Sequence, residues 1–218
     1  ASAFNMSADD LQLAMDKMVK VGNNFPISAA HISEALNNAS SALAAGGNNF
    51  DQSIALLTAA NTTVQDACKA STALRTITAR IRNTKTELED LGEEVDENYN
   101  TTAKYRKELL ALSGVDILDK DNGFKSTYDI LDELSTKWGG LSDQAKAAIT
   151  TQIAGVRNVN VFSSIMENFD EARKVIQSTA DASGFMSEKY EIYADSIEAA
   201  NNRLQASFQE FSADLLHS

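Results

Sequence analysis

Apolar residues recur every three or four positions along most of the chain, and Gly, Asn, Ser or Asp stand where the recurrence breaks. That is the period of helices with one buried face, not the period of strands. Ser7 with Asp9 and Asp10 opens a first helix by capping, and Leu11, Met15, Met18 and Val19 form its expected buried stripe as far as Gly22. Pro26 falls in a turn. Ser28 starts a second helix with Ile32, Leu36, Ala39 and Leu43 on one side, stopped at Gly46-Gly47. Asp51 is expected to cap a third, carrying Ile54, Leu57, Val64 and Cys68. A longer helix from Ser71 places Leu74, Ile77, Ile81, Leu88 and Leu91 on one face and ends near Gly92. Connections this short make antiparallel neighbours.

Residues 93–102 are acidic and Asn-rich with almost no large apolar side chain, which makes them the candidate hinge or boundary. Tyr105, Leu109 and Leu112 then predict a short helix before Gly114, and Val115 with Ile117 a brief extended piece. From Phe124 to Asp170 the large apolar groups cluster. Phe124, Tyr128, Leu131, Leu134 and Trp138 predict one helix up to Gly139-Gly140. Ser142 with Asp143 opens a second, with Ala145, Ala148, Ile149 and Ile153. After Gly155 a third carries Val159, Phe162, Ile165 or Met166, and Phe169, so three short helices fold over one aromatic cluster. Asp170 is expected to cap a helix with Ala172, Val175 and Ile176, closed near Gly184. Beyond it Tyr190, Tyr193, Ile197, Ala200, Leu204, Phe208, Phe211 and Leu215 are separated by 3, 4, 3, 4, 4, 3 and 4 residues, nearly a heptad seam with one stutter. Such a helix either lies on its own domain or continues as a coiled coil joining identical chains. The expected fold is all-α: helical hairpins over 1–92, a hinge at 93–102, an aromatic-rich helical module over 103–186, and a long coiled-coil-like helix over 187–218.

Composition supports helices, since there is one Pro and no strand-like run of Val, Ile and aromatics. The chain begins without Met and stops inside a helical pattern, so it reads as a piece of something longer. Its formal charge is -12, and residues 92–218 carry 12 basic and 22 acidic side chains. A surface this acidic repels phosphates, so stable nucleic-acid binding by this segment is disfavoured. The one basic cluster, Arg75, Arg80, Arg82 and Lys85, is expected to be a solvated face paired with Glu87, Glu89 and Asp90. No apolar run approaches the roughly 18 residues of a spanning helix, so no membrane insertion by this segment is expected. The single Cys68 excludes an internal disulfide and is expected to be a small buried core residue.

Candidate chemistry is sparse. His31 and His217 are the only histidines, with no Cys or His at ligand spacing, and nucleotide-binding glycine motifs and nucleophile elbows are missing. Asp119, Asp121 and Gly123 suggest a calcium loop, but the Gly comes one position early and Ile130 stands where a bidentate Glu is needed, so they read as a turn. Asp129, Asp132 and Glu133 could pair as glycan-cleaving carboxylates, yet they lie opposite Leu131 and Leu134 on a face expected to be solvated. No catalytic, cofactor-binding or metal-ligating residue is assigned, and no cofactor is expected.

FKSTYDIL at 124–131, Trp138, LSD at 141–143, IAGxR at 153–157, Asn160 with Phe162, STALRTITARI at 71–81 and VDI at 115–117 together resemble the tail tape measure proteins of bacteriophages and prophages. The resemblance covers nearly the whole chain. Val156 replaces a basic residue, and Cys68-Lys69-Ala70 a Gly-containing lead. It implies a non-enzymatic structural segment of a homo-oligomer, a trimer, in the lumen of the tail tube, which sets tail length, templates tube assembly and assists DNA delivery. Implied partners are the tail tube protein, tail chaperones and tail-tip or baseplate proteins, and the implied locations are the virion tail and, during assembly, the bacterial cytoplasm. The frequent breaks describe a compact module near one end of the ruler, with the helix from Ser187 leading into a rod. The alternatives are a helical domain of a tail-associated peptidoglycan hydrolase, or a generic coiled-coil adaptor that would leave these motifs unexplained.

Overall fold

The computed structural model describes residues 2–93 and 102–192, and among these the fold is all-α. Helices α1 (Ala8–Asn24), α2 (Ala29–Ala45), α3 (Phe50–Val64), α4 (Ala67–Arg82) and α5 (Lys85–Asp90) precede the acidic connection. Helices α6 (Thr102–Ser113), α7 (Thr127–Trp138), α8 (Asp143–Ala154), α9 (Val159–Glu167) and α10 (Phe169–Ala180) follow it, with a further helical stretch at 185–192. The greater part of the seam from Tyr193 onward lies outside the described residues, as does most of the hinge expected at 93–102.

The centre of the fold is α3. Every residue from Ser53 to Asn61 is buried, because α2, α4, α9 and α10 all pack on it. A helix buried on all sides must avoid bulk and satisfy its own polar groups. The sequence SIALLTAAN does both. Ala55, Ala59 and Ala60 allow close approach, while Ser53 and Thr58 donate their hydroxyls back to Asn49 O and Ile54 O at 2.8 Å. From α9, Ser164 Oγ donates to Ala59 O at 3.0 Å. One cluster of buried side chains runs from Val21 through this helix to Val175.

Several elements differ from their sequence expectation for identifiable reasons. α3 is capped by Asn49, not Asp51, through a reciprocal box with Gln52. It stops where Gln65 takes a left-handed conformation, and Asp66 caps α4 by accepting from Lys69 N at 2.9 Å. Cys68 therefore belongs to α4 and is exposed, not a core residue. The helix expected over 71–91 breaks at Asn83, a residue type that tolerates the left-handed conformation found there (φ 56°), and Thr84 N closes the end on Ala79 O at 2.8 Å. Gly22 does not end α1. A Cβ there would stand 2.7 Å from Ala29 N, so the glycine lets α2 start against the helix. Leu11 and Met15 are exposed; α1 turns Ala14 and Val21 inward instead. Phe124 precedes α7, which Ser126 caps, and Ala148 is exposed while Thr150 and Ala154 join Ile149 and Ile153 in the core. α10 starts at Phe169 after a break at Asn168, with Asp170 inside its first turn. Val115 and Ile117 are buried beside a single antiparallel bridge between Leu118 and Phe124.

Candidate functional site

The segments that stand out in the sequence meet at two joints between helices. At the first, α2 ends in Gly46-Gly47-Asn48. A Cβ on Gly46 would fall 2.6 Å from both Thr127 Oγ1 and Thr78 Cγ2, so α4 and the start of α7 close on bare backbone. Thr127 N donates to Gly46 O at 2.9 Å. The buried Asn48 side chain donates to Leu43 O at 2.7 Å and accepts from Tyr128 N at 2.8 Å, joining the end of one helix to the beginning of another. Arg82, at the end of α4, donates through Nη2 to Gly46 O and to Lys125 O, the latter at 2.7 Å. Its guanidinium lies over the Phe124 ring, 4.7 Å from the centroid. Burial pulls the Arg82 pKa down, but a guanidinium stays charged at any ordinary pH. Thus the 71–81 helix, its Arg82 extension and FKSTYDIL hold one another.

At the second joint, Gly155 has φ 71°, and a Cβ would meet Arg80 Nη2 at 2.9 Å and Glu93 Oε2 at 3.1 Å. Arg80 pairs there with Glu93 at 2.6 Å, and Arg157 Nη1 donates to Gly92 O at 2.8 Å. IAGxR is therefore the seat on which the end of α5 rests. Val156, the departure from the expected basic residue, points into solvent. In the NxF pair Asn160 is exposed, whereas Phe162 is buried with its ring edge-on to Trp138 at 5.7 Å. Tyr128 and Phe169 form the other half of that cluster at 5.3 Å, and burial pushes the Tyr128 hydroxyl up to about 12.

The carboxylates considered for chemistry do not converge. Asp132 accepts from Arg173 Nε at 2.7 Å, Glu133 pairs with Lys125 Nζ at 2.7 Å, and Gln52 Nε2 approaches Asp129 at 3.4 Å. They brace α7 against α10, the 118–125 turn and α3, a role that face periodicity alone does not reveal. Asp119 accepts from Asp121 N at 2.9 Å and Gly123 N at 2.8 Å, which makes a turn. In the basic cluster Arg75 pairs with Glu87 and Lys85 with Glu89, as charge spacing suggests, but Arg80 and Arg82 turn inward to the joints. Among the described residues no group of three or more His, Cys, Asp or Glu side chains could hold a metal ion. A groove of about 330 Å³ runs between α1 and α2 beside the 3-10 turn at Ser2–Phe4, walled by Phe4, Leu11, Met15, Met18, Leu36 and Phe50.

The model of the phage-related minor tail protein family matches residues 1–155, a span that takes in both joints as far as Gly155. The chain belongs to this family. No solved structure matches it. Of the segments quoted above, those at 71–81, 124–131 and 153–157 lie at these helix joints, and Trp138 and Phe162 lie in the aromatic cluster. Among the described residues, no helix of the minor tail protein is long and apolar enough to cross a membrane.

One ion pair makes an acid-pH prediction. Within the VDI segment, Asp116 accepts from Arg106 Nε at 2.6 Å and from Leu118 N at 3.1 Å. The Arg106 bond, followed by the backbone bond from Leu118, holds its carboxyl at about 2 against an ordinary 3.8. A depressed carboxyl stabilises the fold fully above about pH 4 and loses that contribution as pH falls towards 2. Both side chains are partly in water, so the effect is modest. Urea midpoints measured from pH 6 to pH 2 should show Asp116→Asn less stable than the parent at pH 6 and equal to it near pH 2. A gap that persists at pH 2 would assign the loss to packing instead.

Proposed function

We propose that this chain is a structural, non-enzymatic module of a tail tape measure protein, carried in several copies inside the tail tube. The observation that carries the reading is that STALRTITARI, FKSTYDIL and IAGxR meet at two helix joints, and that the charged side chains considered for catalysis serve as braces. A tape measure works because a helix rises about 1.5 Å per residue, so the length of the chain becomes a length in space. The longest described helices, α1 and α2, have 17 residues each, or about 25 Å; a Phe25-Pro26 turn separates them, and Gly46-Gly47 ends the second. The described helices thus form the folded body of the ruler, with 93–102 as a connection within it, and the stretch from Ser187 leads into the extended part. Trimerisation through the heptad-like seam, contacts with tube, chaperone and tip proteins, and release during DNA delivery belong to the same proposal.

The experiment is an in-frame duplication of residues 187–214 in the full-length parent gene, with tail lengths measured by electron microscopy. Duplicating these 28 residues should lengthen tails by about 42 Å. Viable particles with unchanged tails would reject the ruler reading and leave the module a docking or delivery element of the tail.

A further inference from the structure

Asp16 is 3% exposed on α1, and both its oxygens are taken by backbone N–H groups far along the chain. Gly184 N donates to Oδ2 and Met186 N to Oδ1, each at 2.9 Å. These donors lie at the start of the helical stretch 185–192, where the N–H groups have no partner within the helix and the dipole favours an anion. One turn further along α1, Lys20 Nζ donates to Asp181 O at 2.8 Å and lies 5.8 Å from the centre of the Phe185 ring. Lys189 approaches the same ring at 5.4 Å, and Ala182 is fully buried between these contacts. Past Met186 the burial ends: Ser187, Glu188, Glu191 and Ile192 are exposed, and Tyr190 is 76% exposed. Over the described residues the stretch is therefore held at its start, where Phe185 and Met186 are half-buried, and its side from 187 to 192 is largely in water.

We propose that Asp16 and Lys20 form a clamp on α1 that fixes where the C-terminal segment leaves the body and that opens on its own, letting the segment pivot at 182–185 while the helices around α3 stay folded. Among the described residues the contacts to be broken are local: two hydrogen bonds to one carboxylate, one to a carbonyl, the ring contacts, buried Ala182 and half-buried Met186. Opening of that size is a sub-global event, separate from loss of the α3 core. At the pivot, Gly184 has φ 77°, and no atom lies within 4 Å of where its Cβ would be, so the backbone has room to rotate. The clamp does not depend on the tape measure reading, because any role that uses the C-terminal segment inherits its point of departure.

The test is amide hydrogen exchange on the full chain carrying Asp16→Asn or Lys20→Met. Asparagine keeps one acceptor but turns an NH2 towards the second N–H, so amides 184–192 should exchange roughly tenfold faster, as for loss of a helix cap. Amides of α3 and α4 and the thermal midpoint should stay at parent values. Lys20→Met, at a partly exposed position that threatens no core packing, should accelerate the same amides by a smaller factor and keeps the test valid should the Asp16 variant fail to fold. Unchanged exchange at 184–192 in either folded variant overturns the clamp. Equal acceleration of α3 amides overturns it too, since Asp16 would then support the whole body.

Discussion

Replacing Phe162 by alanine should destabilise the protein by about 3–5 kcal/mol. Its ring is fully buried and meets Trp138 edge-on, and its helix α9 packs against α3, α7 and α8. Removing it deletes the transfer energy of a whole aromatic ring and leaves a cavity that helices on three sides cannot fill without moving. A domain of this kind is stable by about 5–15 kcal/mol, so the loss is a large part of the total. Trp138 is the only tryptophan, which makes its fluorescence a local reporter of the same site in denaturant titrations. The matched control is Phe124→Ala. That ring is 42% exposed and lies under the Arg82 guanidinium, so about 0.5–1 kcal/mol is expected. Equal effects for the two phenylalanines would show that the aromatic cluster is not the core of the second half.

The contrast between these residues also shows what the sequence could reveal. Spacing alone puts Phe124 and Phe162 in the same class, as members of helical apolar stripes. What separates them is Ser126, whose side chain accepts from Asp129 N at 3.0 Å and caps α7, which starts at Thr127, past Phe124. Caps of this kind were legible at Ser7, Ser28 and Ser142, where a serine precedes an amphipathic run, and the structure uses all three. Breaks made by non-glycine residues were not legible. Gln65 and Asn83 adopt left-handed conformations inside continuous helical periodicity, which apolar spacing does not signal. The central place of α3 was hidden for a related reason. Ser, Thr and Ala at its buried positions look like a polar or neutral face, because hydroxyl bonds back to the previous turn are invisible to hydropathy. The joints were half legible. Gly46-Gly47 and Gly155 announced breaks, but nothing in the spacing of the arginines told that Arg82 turns inward while Arg75 stays with Glu87 on the rim.

That inward turn carries the other large expected effect. Arg82→Met should cost about 2–3 kcal/mol, because it removes a charged donor shared by Gly46 O and Lys125 O and leaves two carbonyls at a closed joint without it. Methionine retains much of the apolar stem, so lost packing is a small part of the change. Arg82→Lys separates charge from geometry. A lysine keeps the cation, but its ammonium is a compact donor without the planar fork that lies over Phe124 while bonding to carbonyls from two segments. It should recover about half of the loss. Combining Arg82→Met with Phe124→Ala isolates the stacking contribution, and a coupling of about 0.5–1 kcal/mol is expected between them. The opposing force is desolvation, seen in the lowered Arg82 pKa and in the buried Nε that has no partner. If that force dominated, Arg82→Met would be as stable as the parent, and the joint would rest on Thr127 N, Asn48 and the bare backbone at Gly46 alone. A clear loss in the denaturant midpoint, partly restored by lysine, would instead make Arg82 the residue that ties α4 and the end of α2 to the start of α7.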